Sequence, residues 1–259
     1  GNNYTYEEHR AIIQAVSDQN GPQVIKALIH LGKYDLARDT ENDTLVFNRL
    51  QGMLEKSSDA VEKAVLHSML GELYMQYYQK DQWQIRQRTE LQGYIPSDMK
   101  EWTRNIFYDR VVEHMEASLA EREHLEKEKV STFAAVVDEG KDSRSYYPTM
   151  YDFLARRAIE QYGQLTGDED LSRTLAGKQI APESLFAPAE RYVQLPFNPQ
   201  PGEYNLMLFE CYRKLMVSLM ERGLSRSVLL TELDKLESLS GLQPAYGTSA
   251  LPSLENMLQ

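Results

Sequence analysis

Side chains able to do chemistry are few and scattered in this sequence. Its five histidines are His9, His30, His67, His114 and His124. No two of them stand four residues apart around a glutamate, the arrangement by which one helix face binds the zinc of a hydrolase. Glu113, His114 and Glu116 bring metal-ligand types close together, and a metal-dependent enzyme built on His114 is one reading of them. On a charged helix, isolated His and Glu more commonly form a solvated face, and that is the reading adopted. Cys211 is the single cysteine, so neither an internal disulfide nor a cysteine-based zinc cluster is available. Such usage fits a reduced compartment and a bacterial periplasm equally. No glycine-rich phosphate loop follows a strand, and no G-x-S-x-G elbow occurs. The sequence points to no enzyme, no metal and no cofactor.

Two stretches carry the densest polar and aromatic chemistry. In "YYPTMYDFLARRAIEQY", residues 146 to 162, Thr149 and Asp152 have the spacing of a helix cap, and Pro148 suits a first helical turn. Met150, Leu154, Ala158 and Tyr162 then make an i+4 ladder toward a core, with Tyr151 and Ala155 beside it. Arg156 and Arg157 are left over. They are suited to a carboxylate but more often lie on a solvated or inter-helix face. In "QWQIRQRTE", Trp83, Arg86, Arg88 and Thr89 sit where helical periodicity fades. Trp and Arg favour recognition surfaces, yet an aromatic residue pinning an irregular loop to the body is the preferred reading.

The elements that must position these residues are helical. Gly (14) and Pro (10) are few among the 259 residues, and no segment alternates like a strand. A chain of this length buries roughly 70 to 75% of its unfolded surface. Two short amphipathic segments fill residues 4 to 31, split at Gly21 and Pro22. Val46, Leu50, Met53 and Leu54 mark the next helix. After "KSSD", Val61, Val65, Met69, Leu73 and Tyr77 mark its antiparallel partner. Tyr108, Val111, Val112, Met115 and Leu119 restore the pattern, which breaks again at "DEGKDSRS". Residues 166 to 202 contain Pro182, Pro188, Pro196, Pro199 and Pro201, half of all the prolines, and read as an irregular connection. Two helices follow. One has a stripe of Tyr204, Leu208, Cys211, Tyr212, Leu215 and Leu219, and the other, behind Ser225, has Leu229, Leu233 and Leu236. Residues 2 to 240 thus read as a single all-α domain of stacked antiparallel hairpins, like a tetratricopeptide array without a clean repeat. Residues 241 to 259 read as a linker toward downstream domains.

The formal charge of −11 repels phosphate backbones and anionic surfaces, so nucleic acid is not an expected partner. No apolar run is long enough to span a membrane.

"DQWQIRQRTE", "MKEWTRNIFYDRVVEHMEASLAE" with Trp102, and the 146–162 stretch resemble, in this order, the N-terminal helical region of the large alpha-macroglobulin family proteins of the Bacteroidetes. The family's Pro-Thr-Leu-Tyr-Asp-Phe-Leu-Ala-x-Arg-Ala run reads here from Pro148 to Ala158, with Met150 in place of Leu. In looser form the resemblance extends to "SLFAPAERYVQLPF" and "LLTELDKLESLS". It implies an exported, periplasmic or envelope-associated protein in which this region precedes macroglobulin-type β domains, a link to protease inhibition, and partners among those domains and other envelope proteins. The family's Cys-x-Glu-Gln thioester run is not matched, because Cys211 is followed by Tyr212, Arg213 and Lys214. The expected function is a non-catalytic module that positions or docks its own downstream domains. A free-standing helical-repeat protein binding a peptide or glycan is the alternative, suggested by the sixteen tyrosines.

Overall fold

The computed structural model describes residues 43–90, 93–130 and 146–242. The segments expected in residues 4 to 31, with His9 and His30, the break at 138 to 145 and the tail beyond 242 lie outside the described residues. Among the described residues every regular element is helical, and one isolated antiparallel bridge joins Lys129 to Thr149. The chain divides into two compact units, Gly1–Leu154 and Ala155–Gln259, the division falling between Leu154 and Ala155.

In the first unit, α1 (Asp43–Lys56) and α2 (Ala60–Ile85) form the expected hairpin. The turn between them works because Asp59 caps α2, its carboxylate accepting from the Glu62 amide at 2.7 Å. Val61, Val65, Met69 and Leu73 are all buried as the i+4 spacing requires, each contributing about 1.5 to 3 kcal/mol of transfer free energy. The most extensive packing is between α2 and α3 (Arg104–Leu119). Gly71 sits at their closest approach: a Cβ there would meet the Met115 methyl at 2.3 Å and His114 Cβ at 3.3 Å. A short α4 (Arg122–Leu125) follows, and the Glu128 carbonyl accepts from the Met150 amide at 2.8 Å, where α5 (Met150–Leu165) begins.

Two expectations in this unit are corrected. The helix does not end where the periodicity fades, just after Asp81. It bends there, at φ −116° and ψ 19°, and continues to Ile85. Trp83 therefore lies on a helix rather than in a loop.

In the second unit, the segment 166–202 holds short helical pieces, α6 (Leu171–Gly177) and α7 (Ala189–Tyr192), with 3-10 turns at Thr166–Asp168 and Pro182–Phe186. Leu175, Leu185, Tyr192 and Phe197 anchor it, all essentially inaccessible. Helices α8 (Tyr204–Glu221) and α9 (Ser225–Leu242) then pair through a tight turn in which Gly223 takes φ +69°, a conformation that favours glycine. The stripe of α8 is buried as expected at Leu208, Cys211, Tyr212, Leu215 and Leu219. That of α9 is not. Leu229 and Leu233 are 39% and 38% exposed, while Ser227, Thr231, Glu232 and Lys235 are buried with Leu236 and Leu239.

Candidate functional site

The 146–162 stretch is assembled as a helix start. Thr149 precedes the first residue of α5, and Asp152, three positions on and fully buried, accepts from both the Thr149 amide (2.9 Å) and its hydroxyl (2.8 Å). One carboxylate thus satisfies two donors at a buried helix terminus, where an unmade hydrogen bond costs about 1 to 3 kcal/mol. Pro148 lies outside the helix, so Thr149 supplies the start. Met150, Leu154, Ala158 and Tyr162 are buried with Tyr151 and Ala155, as the ladder predicts. Tyr151 carries the Arg122 guanidinium 5.7 Å from its ring centre.

Arg156 is buried rather than solvated. It ion-pairs with Asp234 of α9 and donates to the Thr231 hydroxyl at 2.8 Å, and that hydroxyl in turn donates to the Ser227 carbonyl at 2.8 Å. Arg157 is partly buried on the adjacent face. Around the same inner face of α9, the Glu232 carboxylate accepts from the Ala189 amide at the start of α7, at 2.6 Å. Lys235, only 1% exposed, donates to the Ala187 carbonyl at 3.2 Å and lies 4.0 Å from the centre of the Tyr192 ring. Burial pushes the Lys235 ammonium down to about 8, with Glu232 pulling the other way. Burial likewise raises the Glu232 carboxyl, although the Ala189 amide opposes the rise. Tyr212 completes the group through the Ser238 hydroxyl (2.7 Å) and the Asp234 carbonyl (3.2 Å). These polar side chains tie the irregular 187–192 segment and α5 to α9. Burial raises the Cys211 thiol to about 12, which removes it as a nucleophile.

In the first unit the pinning role expected of Trp83 falls to Trp102. Trp83 is 75% exposed and pins nothing. Trp102 does the pinning: its Nε1 donates to the Pro96 carbonyl at 2.7 Å, and its own carbonyl accepts from Arg88 at 2.6 Å. Its ring stacks on Tyr74 at 5.6 Å and lies 5.4 Å from Phe107. Arg86 donates to the Tyr78 hydroxyl at 3.0 Å. Both arginines thus fasten the segment after α2 to the body.

His114 is not on a solvated face. It is buried, stacks on Tyr74 at 5.5 Å, and meets His67 of α2 Nδ1 to Nδ1 at 2.9 Å. Burial, reinforced by His67, pushes it down to about 4, and burial also lowers His67. Glu113 is exposed and paired with Arg110 at 2.5 Å. Among the described residues no group of three or more His, Cys, Asp or Glu is placed to hold a metal. The histidine pair was invisible in sequence because its members lie 47 residues apart. No family model, curated protein or solved structure matches the chain.

Proposed function

We propose that this chain is a non-catalytic helical module of an envelope-associated, alpha-macroglobulin-like protein, positioning or docking the domains that follow it in its own polypeptide. One observation carries the reading. The side chains of the 146–162 stretch best suited to reaction or ligand binding are consumed in packing, Asp152 on Thr149 and Arg156 on Thr231 and Asp234. A segment whose charged groups fasten helices to one another supplies rigidity, which is what a docking scaffold requires. Among the described residues no helix is long and apolar enough to cross a membrane, so envelope association in this proposal comes through the rest of the polypeptide.

The alternative, a free-standing helical-repeat protein binding a peptide or glycan, would draw on the half-buried Tyr74, Tyr77, Tyr146, Tyr147 and Tyr204. Tyr78, Tyr108, Tyr151, Tyr162, Tyr192 and Tyr212 are buried, and of the tyrosines described only Tyr94 is largely exposed. The docking proposal is tested by fractionating source cells and probing them with an antibody raised against residues 43–242. It predicts an envelope-associated polypeptide several times longer than this chain. A species no longer than the chain, or one confined to the cytoplasm, overturns it.

A further inference from the structure

His67 of α2 and His114 of α3 touch through their Nδ1 atoms at 2.9 Å. A contact of that length accommodates one hydrogen. One ring is then the Nδ1–H tautomer and donates, and the other is the Nε2–H tautomer and accepts. A first extra proton can settle on the donor's Nε2 and leave the shared hydrogen in place. A second must land on the acceptor's Nδ1, so that two N–H groups point at each other from two cations.

The groups that face the pair do little to offset that charge. From α2 these are Lys63 and Tyr74, and from α3 Arg110 and Glu113. Among the described residues Glu113 is the one carboxylate in this set, and it is 61% exposed and engaged by Arg110. Phe47 of α1 lies on Tyr74, and Trp102 lies on the same ring; neither carries charge. The contact sits in the most extensively packed helix pair of the unit, with Gly71 allowing the approach, His114 buried against the Tyr74 ring and His67 half-buried.

We propose that the His67–His114 contact is an acid-operated catch, holding α2 to α3 while the rings share one hydrogen and releasing them when both become imidazolium. The inference is independent of the docking reading and stands or falls separately. Release would loosen the Tyr74–Trp102 stack, which gives it an optical signature.

The test is a titration from about pH 7.5 to 3.5, following the histidine Cε1–H resonances by NMR and near- and far-UV circular dichroism on the same samples. His67→Gln and His114→Gln assign the two resonances. The catch predicts two separated titration steps for the pair. The lower step coincides with loss of the near-UV aromatic signal while the far-UV helix signal persists. In either Gln variant, which keeps a hydrogen-bonding side chain but cannot form the second cation, the near-UV loss moves to lower pH by at least about half a unit. Should one variant not fold, the other carries the comparison. Independent titration of both rings at the ordinary histidine value overturns the proposal. So does a near-UV transition at the same pH in wild type and variant, or one accompanied step for step by loss of helix.

Discussion

The α2–α3 pair and the inner face of α9 build their interiors from different materials. Between α2 and α3 the contact, the His67–His114 pair apart, is mainly aliphatic and aromatic: Leu66, Leu70, Phe107, Val111 and Met115 are completely or almost completely buried, with Tyr74 and Trp102 stacked at the edge. On α9 the buried positions include Thr231, Glu232 and Lys235, each of which has a specific partner. Apolar packing tolerates any neighbour of suitable shape. A buried charge tolerates only the partner that satisfies it, and loss of that partner leaves an uncompensated charge. Helix α9 is therefore the more exacting of the two, because it must gather Arg156 from α5 and the 187–192 segment at defined points.

The largest expected effect falls in the apolar region. Trp102→Ala removes a buried aromatic anchor together with its bond to the Pro96 carbonyl, and should lower stability by about 3 to 5 kcal/mol in urea unfolding. A loss under about 1 kcal/mol would show that the aromatic cluster is not part of the core.

Next comes the pH dependence of α9. Lys235 is held at about 8 against its ordinary 10.5, so between those values the unfolded chain binds the extra proton. Stability contributed by this group therefore rises as pH climbs through the window. Burial raises Cys211, Tyr192 and Tyr212, which act in the opposite sense at higher pH, so the wild type must be compared with Lys235→Met. The wild type should improve relative to that variant by about 1 to 3 kcal/mol between pH 8 and 10. Parallel stability curves would mean that Lys235 is hydrated.

A smaller effect sits at the start of α5. Asp152→Ala leaves the Thr149 amide and hydroxyl without their acceptor and should cost about 1 to 2 kcal/mol, read as a lowered thermal midpoint at fixed pH. An unchanged midpoint would remove the capping account. The smallest effect belongs to Trp83→Ala, which should change stability by less than about 0.5 kcal/mol because the side chain is 75% exposed.

These regions also differ in how far the sequence disclosed them. Thr149 and Asp152 were legible because donor and acceptor lie three residues apart, and the ladder from Met150 to Tyr162 because one helix face was enough to define it. The fastening of Arg156 was not legible, since Thr231 and Asp234 lie 75 and 78 residues away. In α9 the spacing of Leu229, Leu233 and Leu236 suggested a buried stripe. The polar residues took the inner face instead, because their partners at Ala187, Ala189 and Arg156 exist only in the folded chain. Trp83 stands apart for a local reason: the fading periodicity around it suggests a loop, whereas the helix only bends at Asp81 and carries Trp83 outward.

The central claim is that the charge in the 146–162 stretch fastens helices and does not wait for a ligand. A double-mutant cycle with Arg156→Met and Asp234→Asn, measured by urea unfolding, tests it most directly. The account predicts that the two changes are coupled by about 1 to 3 kcal/mol, each single change destabilising more than it does in the background of the other. Coupling within about 0.3 kcal/mol of zero, with Arg156→Met leaving the unfolding midpoint unchanged, would contradict it.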